Sequence, residues 1–253
     1  MGTARRNGRP QTHRTYAPMP SPQPLPPTSV VIPAAGESRR LPGPRRKPYL
    51  LLAGRPLLIR TLEAFRGLGF VREVVLMVHP DDLDRVKRRW SRVFAALKVS
   101  AILPGGSSRA ESVALGVLAT AASSRLVLTH DAARPLVTSL EVRAVAAAAW
   151  SRGAAILAVP ATDTIKKVSE RGIILKTLPR NELWLAQTPQ GFRRSLLVRA
   201  CRRWLKGGKR RSPTDDAGFL EGRQAVWVVP GTGGNLKVST RSDLARARVL
   251  WNL

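Results

Sequence analysis

Residues 31–40 read VIPAAGESRR and lead from a short apolar strand into a loop of small residues that ends in two arginines, with Lys47 close behind. Because alanine and glycine carry little side chain, a ligand can approach this loop and hydrogen-bond to its main-chain amides. The guanidinium groups and Lys47 then put positive charge where phosphates would lie. The loop has neither the Gly-Lys-Ser/Thr of a Walker loop nor the spacing of a G-x-G-x-x-G dinucleotide motif. It favours a nucleotide triphosphate site over an ordinary strand-to-helix connection.

Downstream of this loop, the pattern alternates between strands and helices. We predict strands at 30–33, 71–79, 99–103, 126–129 and 154–159, and helices at 57–68, 83–97, 109–122 and 140–152. Short connections between such elements indicate β-α-β units, and therefore a mostly parallel sheet covered by helices on both faces. Ligands of such folds bind at the carboxyl ends of the strands, where the loops 33–47, 104–112 and 130–135 fall.

Residues 160–185 interrupt this alternation. β-branched residues at 164–168 and 172–177, around a central Glu-Arg-Gly turn, predict a hairpin that either covers the site or grips a second subunit. For the rest of the chain we predict a helix that follows Gln190 and runs through Leu205, a loop at 212–218, strands at 226–229 and 236–238, and a closing helix at 242–250. Thr240 or Ser242 is the expected N-cap of that last helix.

Composition bounds the class of protein. A chain of 253 residues suits one α/β domain with an elaboration, and its single cysteine, Cys201, fits a reducing cytoplasm and a buried apolar role. No apolar run approaches the length of a membrane span, so we expect no membrane association. The net charge of +27 attracts polyanions, but the basic residues are spread along the whole chain. We therefore expect nucleic acid to bind non-specifically if at all.

Residues 1–28 are basic and then proline-rich, without hydrophobic periodicity. Such a segment cannot bury enough surface to fold alone, so we predict a disordered tail followed by one domain at 29–253. Three interpretations stay open: a tail without structural consequence, a translation start at Met19, and a targeting segment. A secretory signal is disfavoured because the segment has no apolar stretch.

Two further loops carry groups suited to nucleotide chemistry. Asp131 directly follows a buried strand, where a carboxylate can bind a ribose hydroxyl or hold Mg²⁺, directly or through water. Arg134 can meet a phosphate, although an Asp–Arg pair that merely shapes the loop is the alternative. In the second loop, Gly105 and Gly106 precede a helix start at which Ser108 and Glu111 have the spacing of a capping box.

Eight motifs occur in order along the chain. They are Pro33-Ala34-Ala35-Gly36 with Arg40 and Lys47, Gly-Gly-x-x-Arg-x-x-Ser at 105–112, the segment 130–135, Asp163-Thr164-Ile165-Lys166, Arg180-Asn181-Glu182-Leu183-Trp184, Gln187-Thr188-Pro189-Gln190, Thr214-Asp215 and Asn235-Leu236-Lys237-Val238. Together they resemble the 2-C-methyl-D-erythritol 4-phosphate cytidylyltransferase family of non-mevalonate isoprenoid biosynthesis. The resemblance extends from about Val30 to the C-terminus.

This resemblance implies a Rossmann-like, three-layer α/β nucleotidyltransferase (GT-A-like) fold with a mostly parallel sheet. It also implies a protruding β-arm, at about 160–185, through which a homodimer forms. The implied reaction transfers CMP from the co-substrate CTP to 2-C-methyl-D-erythritol 4-phosphate, giving 4-diphosphocytidyl-2-C-methyl-D-erythritol and pyrophosphate. Mg²⁺ is the implied divalent cation, and the cytoplasm is the expected location.

The resemblance also implies a role for each matching residue. The catalytic group comprises Arg40, Lys47, Arg180 and Lys237. The implied CTP contacts are Ala34, Ala35, Gly36, Gly106, Ser112 and Asp131, with Asp131 also the implied Mg²⁺ ligand. The implied methylerythritol phosphate contacts are Arg134, Thr164, Thr188 and Thr214, with Thr164 on the arm that reaches across the dimer.

The chain departs from the family pattern at a few positions. Ser38 replaces a glycine of the first loop, Arg46-Lys47-Pro48 stands where Pro-Lys-Gln is usual, Ser107 stands where an acid is frequent, and Asp216-Ala217-Gly218 replaces Glu-Ala-Ser. One alternative is a ribitol 5-phosphate cytidylyltransferase, which the motifs between 160 and 190 disfavour. Another is an RNA-binding protein on a degenerate transferase fold, which predicts loss of charged site residues that this chain keeps.

Overall fold

A computed structural model describes residues 24–37, 46–208 and 212–252 of the protein. Its strands are β1 (Thr28–Ala34), β2 (Leu51–Leu52), β3 (Arg55–Pro56), β4 (Val71–Val78), β5 (Val99–Pro104), β6 (Leu126–Thr129), β7 (Ala154–Pro160), β8 (Lys166–Val168), β9 (Ile174–Thr177), β10 (Trp184–Arg193) and β11 (Trp227–Pro230). Its α-helices are α1 (Leu57–Arg66), α2 (Leu83–Ala96), α3 (Arg109–Leu118), α4 (Ser139–Arg152), α5 (Arg194–Lys206) and α6 (Arg241–Trp251).

Seven strands form the central sheet in the order β11-β7-β10-β6-β1-β4-β5. The alternation of the sequence explains how β1 serves both faces: Val30 and Ile32 pack into one apolar cluster, and Val31 packs into another. Helices α1, α2 and α4 cover the first face, while α3 and α5 cover the second. The predicted three-layer arrangement is therefore confirmed.

Strand β10 is antiparallel to both of its neighbours, β6 and β7, whereas the other pairs of the sheet are parallel. The sequence-based prediction missed this strand and expected a loop that leads into a helix. Pro189 and Gly191 explain the error, because both residue types are rare inside central strands. A register shift between Ala186 and Gln190 on the β7 side accommodates Pro189, whereas Gly191 pairs regularly with Ala155 and Leu128.

The hairpin predicted at 164–177 is present as the antiparallel pair β8 and β9, with Gly172 in the turn at a φ of +79°. Both strands are shorter than predicted. This arm leaves the sheet after β7 and returns into β10, so the chain re-enters beside the strand it left, in the opposite direction.

Other boundaries differ in detail from the predictions. Helix α3 ends at Leu118 instead of Ala122, and α5 begins at Arg194 instead of close behind Gln190. The strand predicted at 236–238 is wrong, since this segment is irregular. Thr240 is the N-cap of α6, as one of the two predicted alternatives, and forms a full capping box with Asp243.

The remaining expectations concern the ends of the chain and its cysteine. The predicted tail lies outside the described residues up to position 23, while Leu25 packs against the core and Thr28 begins β1. The division into tail and domain stays a prediction. Cys201 is fully buried in α5, and burial raises the pKa of its thiol to about 12, which fits the predicted packing role. None of the helices in the described part of the chain has the length and apolarity needed to cross a membrane.

Candidate functional site

A cavity of about 560 Å³ opens at the carboxyl ends of β1, β4, β5 and β6. Its lining comprises Pro33, Ala34, Ala35, Gly36, Glu37, Lys47, Pro48, His79, Pro80, Gly105, Gly106, Ser107, Ser108, Arg109, Ser112, Asp131, Ala132, Ala133 and Lys237. Parallel strands end on the same edge of a sheet, and this is why loops far apart in sequence meet here. The three loops predicted to bind a ligand all contribute to this lining.

The loop before α3 and the loop after β1 touch through residues without bulky side chains. A Cβ atom on Gly105 would lie 2.3 Å from Cβ of Ala35 and 2.8 Å from Oγ of Ser112, so glycine is required for this approach. The Ser112 hydroxyl accepts from the amide of Gly106 at 3.0 Å and donates to the carbonyl of Ser108 at 2.9 Å. This wall of the cavity is therefore shaped before any ligand arrives.

Ser108 caps α3 as predicted, because its Oγ accepts from the amide of Glu111 at 3.1 Å. The carboxylate of Glu111 turns to Ser107, whose amide donates to it at 2.8 Å and whose hydroxyl also donates to it. These contacts use the Ser107 side chain to close the turn that leads into the helix. They keep the amides at the start of α3 beside the cavity.

Asp131 lies at the end of β6 and gathers three cations. Its Oδ2 is 2.7 Å from Lys237 Nζ and 3.7 Å from Arg134 Nε, and its Oδ1 accepts from Arg109 at 2.9 and 3.1 Å. Burial by itself would raise the pKa of this carboxyl. The charges of Arg109 and Lys237 outweigh burial and lower that pKa well below its usual range, so the carboxylate stays ionised.

Arg109 is a site residue that the sequence analysis did not single out. Besides Asp131, its guanidinium binds both carboxylate oxygens of Asp216, at 2.7 and 3.1 Å, and Asp216 is fully buried. The two carboxylates raise the pKa of Arg109 although burial opposes this. Such a bidentate pair fixes the guanidinium plane at the cavity wall. The arginine of the Gly-Gly-x-x-Arg-x-x-Ser motif was the available signal.

Thr188 connects the main chain of Asp131 to His130. The Thr188 hydroxyl accepts from the amide of Asp131 at 3.0 Å, so its proton points to Nδ1 of His130 at 3.1 Å. Nε2 of His130 then donates to the carbonyl of Arg134 at 3.0 Å. Burial lowers the pKa of His130 to about 4, so the ring is neutral in this chain of bonds. This series of hydrogen bonds fixes the loop that carries Asp131.

The segment that carries Lys237 has no regular structure, but side chains pin it at several points. Asn235 Nδ2 donates to Gln187 Oε1 at 3.1 Å and to the carbonyl of Thr188 at 2.8 Å. Arg134 donates to the carbonyl of Asn235 at 2.7 Å, and the amide of Val238 donates to Ala133 at 2.8 Å. These contacts take the place of the strand that the sequence predicted at 236–238.

Gln190, in β10, anchors the loop at 212–218. Its Oε1 accepts from the amides of Asp216 and Ala217 at 3.1 and 2.9 Å, and its Nε2 donates to Asp215 at 2.8 Å. The loop is thereby held where Asp216 meets Arg109. Sequence reasoning noticed Gln190 as part of a motif but not its structural role.

The predicted site residues fall into four groups. Those that line the cavity are Ala34, Ala35, Gly36, Lys47, Gly106, Ser112, Asp131 and Lys237. Arg134 and Thr188 are buried behind the Asp131 wall. Thr214 is exposed, and so are Thr164 and Arg180 at the arm, where Arg180 donates to the carbonyl of Thr162 at 2.8 Å. Arg40 lies outside the described residues, as does Ser38.

The three-layer fold and the cationic cavity at its strand ends define an α/β nucleotidyltransferase, and solved structures agree with this class. A 4-diphosphocytidyl-2C-methyl-D-erythritol synthase from Anaerococcus prevotii superposes with a TM-score of 0.77 at 27% identity, covering 90% of this chain and 97% of that one. A 2-C-methyl-D-erythritol 4-phosphate cytidylyltransferase from Thermus thermophilus gives 0.73 at 32% identity, covering 88% and 98%.

The chain belongs to the 2-C-methyl-D-erythritol 4-phosphate cytidylyltransferase (IspD) family, whose sequence model matches residues 28–252. A relative from Pelotomaculum thermopropionicum that bears the family's name is 40% identical over 224 residues, which cover 88% of this chain and 93% of the relative. The family and the enzyme class predicted from the sequence are therefore confirmed.

Proposed function

We propose that the cavity is where this enzyme transfers CMP from CTP to the phosphate of 2-C-methyl-D-erythritol 4-phosphate, with release of pyrophosphate. The observation that carries the proposal is the meeting of Lys47, Asp131 and Lys237 on one cavity whose other wall is built from small residues. That combination suits a polyanion with a planar base attached. Family membership supports the choice of cytidine and of the methylerythritol acceptor.

The small-residue wall is our proposed nucleoside subsite. Ala34, Ala35 and Gly36 line the cavity with main chain and small side chains, and Gly106 follows a glycine that lies against Ala35. Main-chain groups at such close range can read a base edge without induced movement. Ser112 contributes by holding the Gly106 amide in place, because both of its hydrogen bonds already serve the loop.

Lys47 and Lys237 are our proposed phosphate contacts, joined by Arg40 from the first loop. In the reaction a phosphate oxygen of the acceptor forms a new bond to the α-phosphorus of CTP. The bond from that phosphorus to the bridging oxygen breaks, and pyrophosphate leaves with the electron pair. Because an ionised phosphate is already a nucleophile, the lysines need only align the groups and neutralise the growing negative charge.

Asp131 has two proposed roles. In the free protein, the ion pair holds the Lys237 ammonium group at the cavity wall, with Nζ 2.7 Å from Oδ2 of Asp131. It is also the proposed Mg²⁺ ligand, directly or through water. Among the described residues no cluster of three or more His, Cys or acidic side chains could hold a metal ion. One carboxylate nevertheless fits, since Mg²⁺ in nucleotide sites takes most ligands from phosphates and water. Bound there, the ion would neutralise triphosphate charge.

The acceptor's proposed contacts come from two parts of the molecule. Arg134 and Thr188 lie at the Asp131 loop, Thr214 lies exposed in the 212–218 loop, and Arg134 has a buried Nε without a hydrogen-bond partner among the described residues. Thr164 and Arg180 lie at the arm, exposed to solvent within one chain. We propose that the arm of a second copy brings them to the site. Exposed apolar residues on the arm, Ile173 to Leu175, support such a contact.

Two wider expectations remain proposals. The enzyme works in the cytoplasm, which the single buried cysteine supports. Nucleic acid binds non-specifically if at all, because the net charge of +27 is not concentrated in a recognisable binding motif.

Pyrophosphate release tests the proposed reaction. The assay uses CTP and Mg²⁺ with either 2-C-methyl-D-erythritol 4-phosphate or ribitol 5-phosphate, and Lys47→Ala is the variant. We expect release with the methylerythritol substrate alone and its loss in the variant. Turnover with ribitol phosphate alone would overturn the acceptor assignment, and an active Lys47→Ala enzyme would overturn the role of Lys47.

Mixing two inactive variants tests the shared site. If Lys47→Ala and Arg180→Ala chains assort at random into dimers, half of the dimers are mixed and each holds one complete site. We therefore expect about a quarter of wild-type activity to return on mixing. No recovery would show that the arm serves its own chain. Subunit exchange is verified beforehand with tagged chains.

A further inference from the structure

Arg46, next to Lys47, ties the lysine segment to a second loop of the same cavity. Its Nη2 is 3.1 Å from Oδ2 of Asp81, and its Nη1 is 3.1 Å from Oδ2 of Asp82. Both acids follow β4 in the turn whose His79 and Pro80 line the cavity. The ion pairs thus join two loops that lie far apart in sequence and flank one pocket.

The two acids differ in what they can contribute. The side chain of Asp81 is 71% exposed and that of Asp82 only 7%, with Arg46 at 29%. A solvent-exposed pair is worth little, whereas a pair with one buried partner is screened less. Asp82 is also held by Arg85, at 2.7 Å from its other oxygen. The arginines lower the pKa of Asp82 although burial opposes this, so it stays charged.

On the C-terminal side of Lys47, a second set of contacts joins the lysine segment to α2. The ring of Tyr49 stacks on Trp90 of α2 with centroids 5.5 Å apart, and the guanidinium of Arg85 lies over the Tyr49 ring at 4.8 Å. Tyr49 is buried, and Pro48 restricts the backbone between it and Lys47. Lys47 is therefore flanked on both sides by residues that are fastened to α2 and the turn before it.

We propose that Arg46 and Asp82 are positioning residues that hold Lys47 in the phosphate-binding geometry. This rests on the proposed role of Lys47. Arg46 stands where the family usually has the proline of Pro-Lys-Gln. The ion pair between Arg46 and Asp82 gives this substitution a structural role. The ion pair restrains the segment on the N-terminal side of Lys47, and the Tyr49 contacts restrain it on the other side. Fixing a flexible lysine before the substrate arrives lowers the cost of aligning it in the transition state.

A double-mutant cycle tests the proposal in the pyrophosphate-release assay. The variants are Arg46→Gln, Asp82→Asn and the two combined. We expect each single change to lower kcat about tenfold with a smaller change in KM for CTP, and the double variant to be no slower than the slower single one. Arg46→Lys should recover part of the loss. Arg55→Gln is the matched control, because Arg55 pairs with Glu63 away from the cavity.

Several results would overturn the positioning role. Additive losses in the cycle would show that the two side chains act independently. A loss that appears in Arg55→Gln to the same extent, or that follows the melting temperature across the variants, would indicate general destabilisation. If Asp82→Asn fails to fold, the comparison of Arg46→Gln with Arg46→Lys decides, and equal kcat values for both would refute the proposal. Lys47→Ala separates the two hypotheses, because an active Lys47→Ala enzyme refutes the role of Lys47 itself.

Discussion

The cavity wall around Asp131 and the β8–β9 arm hold parts of one proposed site, but they are built in opposite ways. On the wall, the carboxylates of Asp131 and Asp216 are buried and the cations around them are partly buried: Asp131 contacts three cations, and Arg109 binds two carboxylates. On the arm, Thr164 and Arg180 are exposed, and apolar side chains such as Ile174 face solvent.

The contrast between the wall and the arm predicts that the two regions serve different substrates. A wall whose groups are already paired inside one chain can bind a nucleotide without help from elsewhere, because its donors and charges are ordered in advance. An exposed arm cannot place an acceptor substrate by itself. The nucleotide half of the site is therefore expected to function in a single chain, and the acceptor half to depend on a second copy. Each prediction below changes one side of this comparison.

The largest effect is expected from Asp131→Asn on the wall. Removing the charge leaves Lys237 and Arg109 without their shared partner; breaking a fully buried pair costs about 3–5 kcal/mol, and the cost is smaller here because Lys237 and Arg109 are partly exposed to solvent. We expect kcat to fall about 10²–10³-fold, and the melting temperature to fall as well. Steady-state kinetics and thermal unfolding measure both. Asp163→Asn, on the exposed arm segment, is the control and should retain its stability. A normal kcat in the Asp131→Asn enzyme would show that the charged wall plays no part in catalysis.

A smaller, concentration-dependent effect is expected from Ile174→Ser on the arm. Ile174 is 61% exposed in one chain, so the substitution leaves the core intact but weakens the proposed contact between copies. We expect dissociation to monomers at micromolar protein and roughly a tenfold loss of specific activity there. Sedimentation velocity follows the oligomer.

Leu140→Ser is the matched control for the arm. Leu140 is 76% exposed and lies on α4, outside the arm. It should change neither mass nor activity. If Leu140→Ser dissociates the protein and Ile174→Ser does not, the proposed interface is on the wrong surface.

Next in size is Gln190→Ala, which acts on the support behind the wall. Its side-chain amide holds the amides of Asp216 and Ala217, so the variant leaves buried donors unpaired. Unpaired buried groups cost about 1–3 kcal/mol, which denaturant unfolding measures directly. We also expect KM for CTP to rise, because Arg109 loses a fixed Asp216. Unchanged stability together with unchanged KM would show that the 212–218 loop is held by other contacts.

The smallest effect is expected from Thr240→Ala, at the cap of α6. Loss of the capping box costs about 1 kcal/mol of stability. Because Asn235 and Val238 still hold the Lys237 segment, kcat should stay within about twofold of wild type. A large loss of kcat would mean that the helix start, and not the loop contacts, positions Lys237.

Much of the architecture follows from local sequence pattern. The apolar run that forms β1, the alternation of strands and helices and the arm hairpin depend on neighbours within a few residues, so periodicity and turn residues are enough to predict them, and they narrow the cap of α6 to Thr240 or Ser242. The three ligand loops could be placed for a related reason: parallel strands bring their carboxyl ends to one edge.

The tertiary structure alone decided which charged groups become partners. Arg109 and Asp216 are 107 residues apart in the sequence. Lys237, which pairs with Asp131, lies in an irregular segment that the sequence pattern predicted to be a strand. Strand β10 was hidden by Pro189 and Gly191, and its pairing with β6 and β7 is visible only in the sheet. Such pairings depend on long-range packing and on how far burial strengthens an ion pair, and neither quantity is encoded in the spacing of residues along the chain.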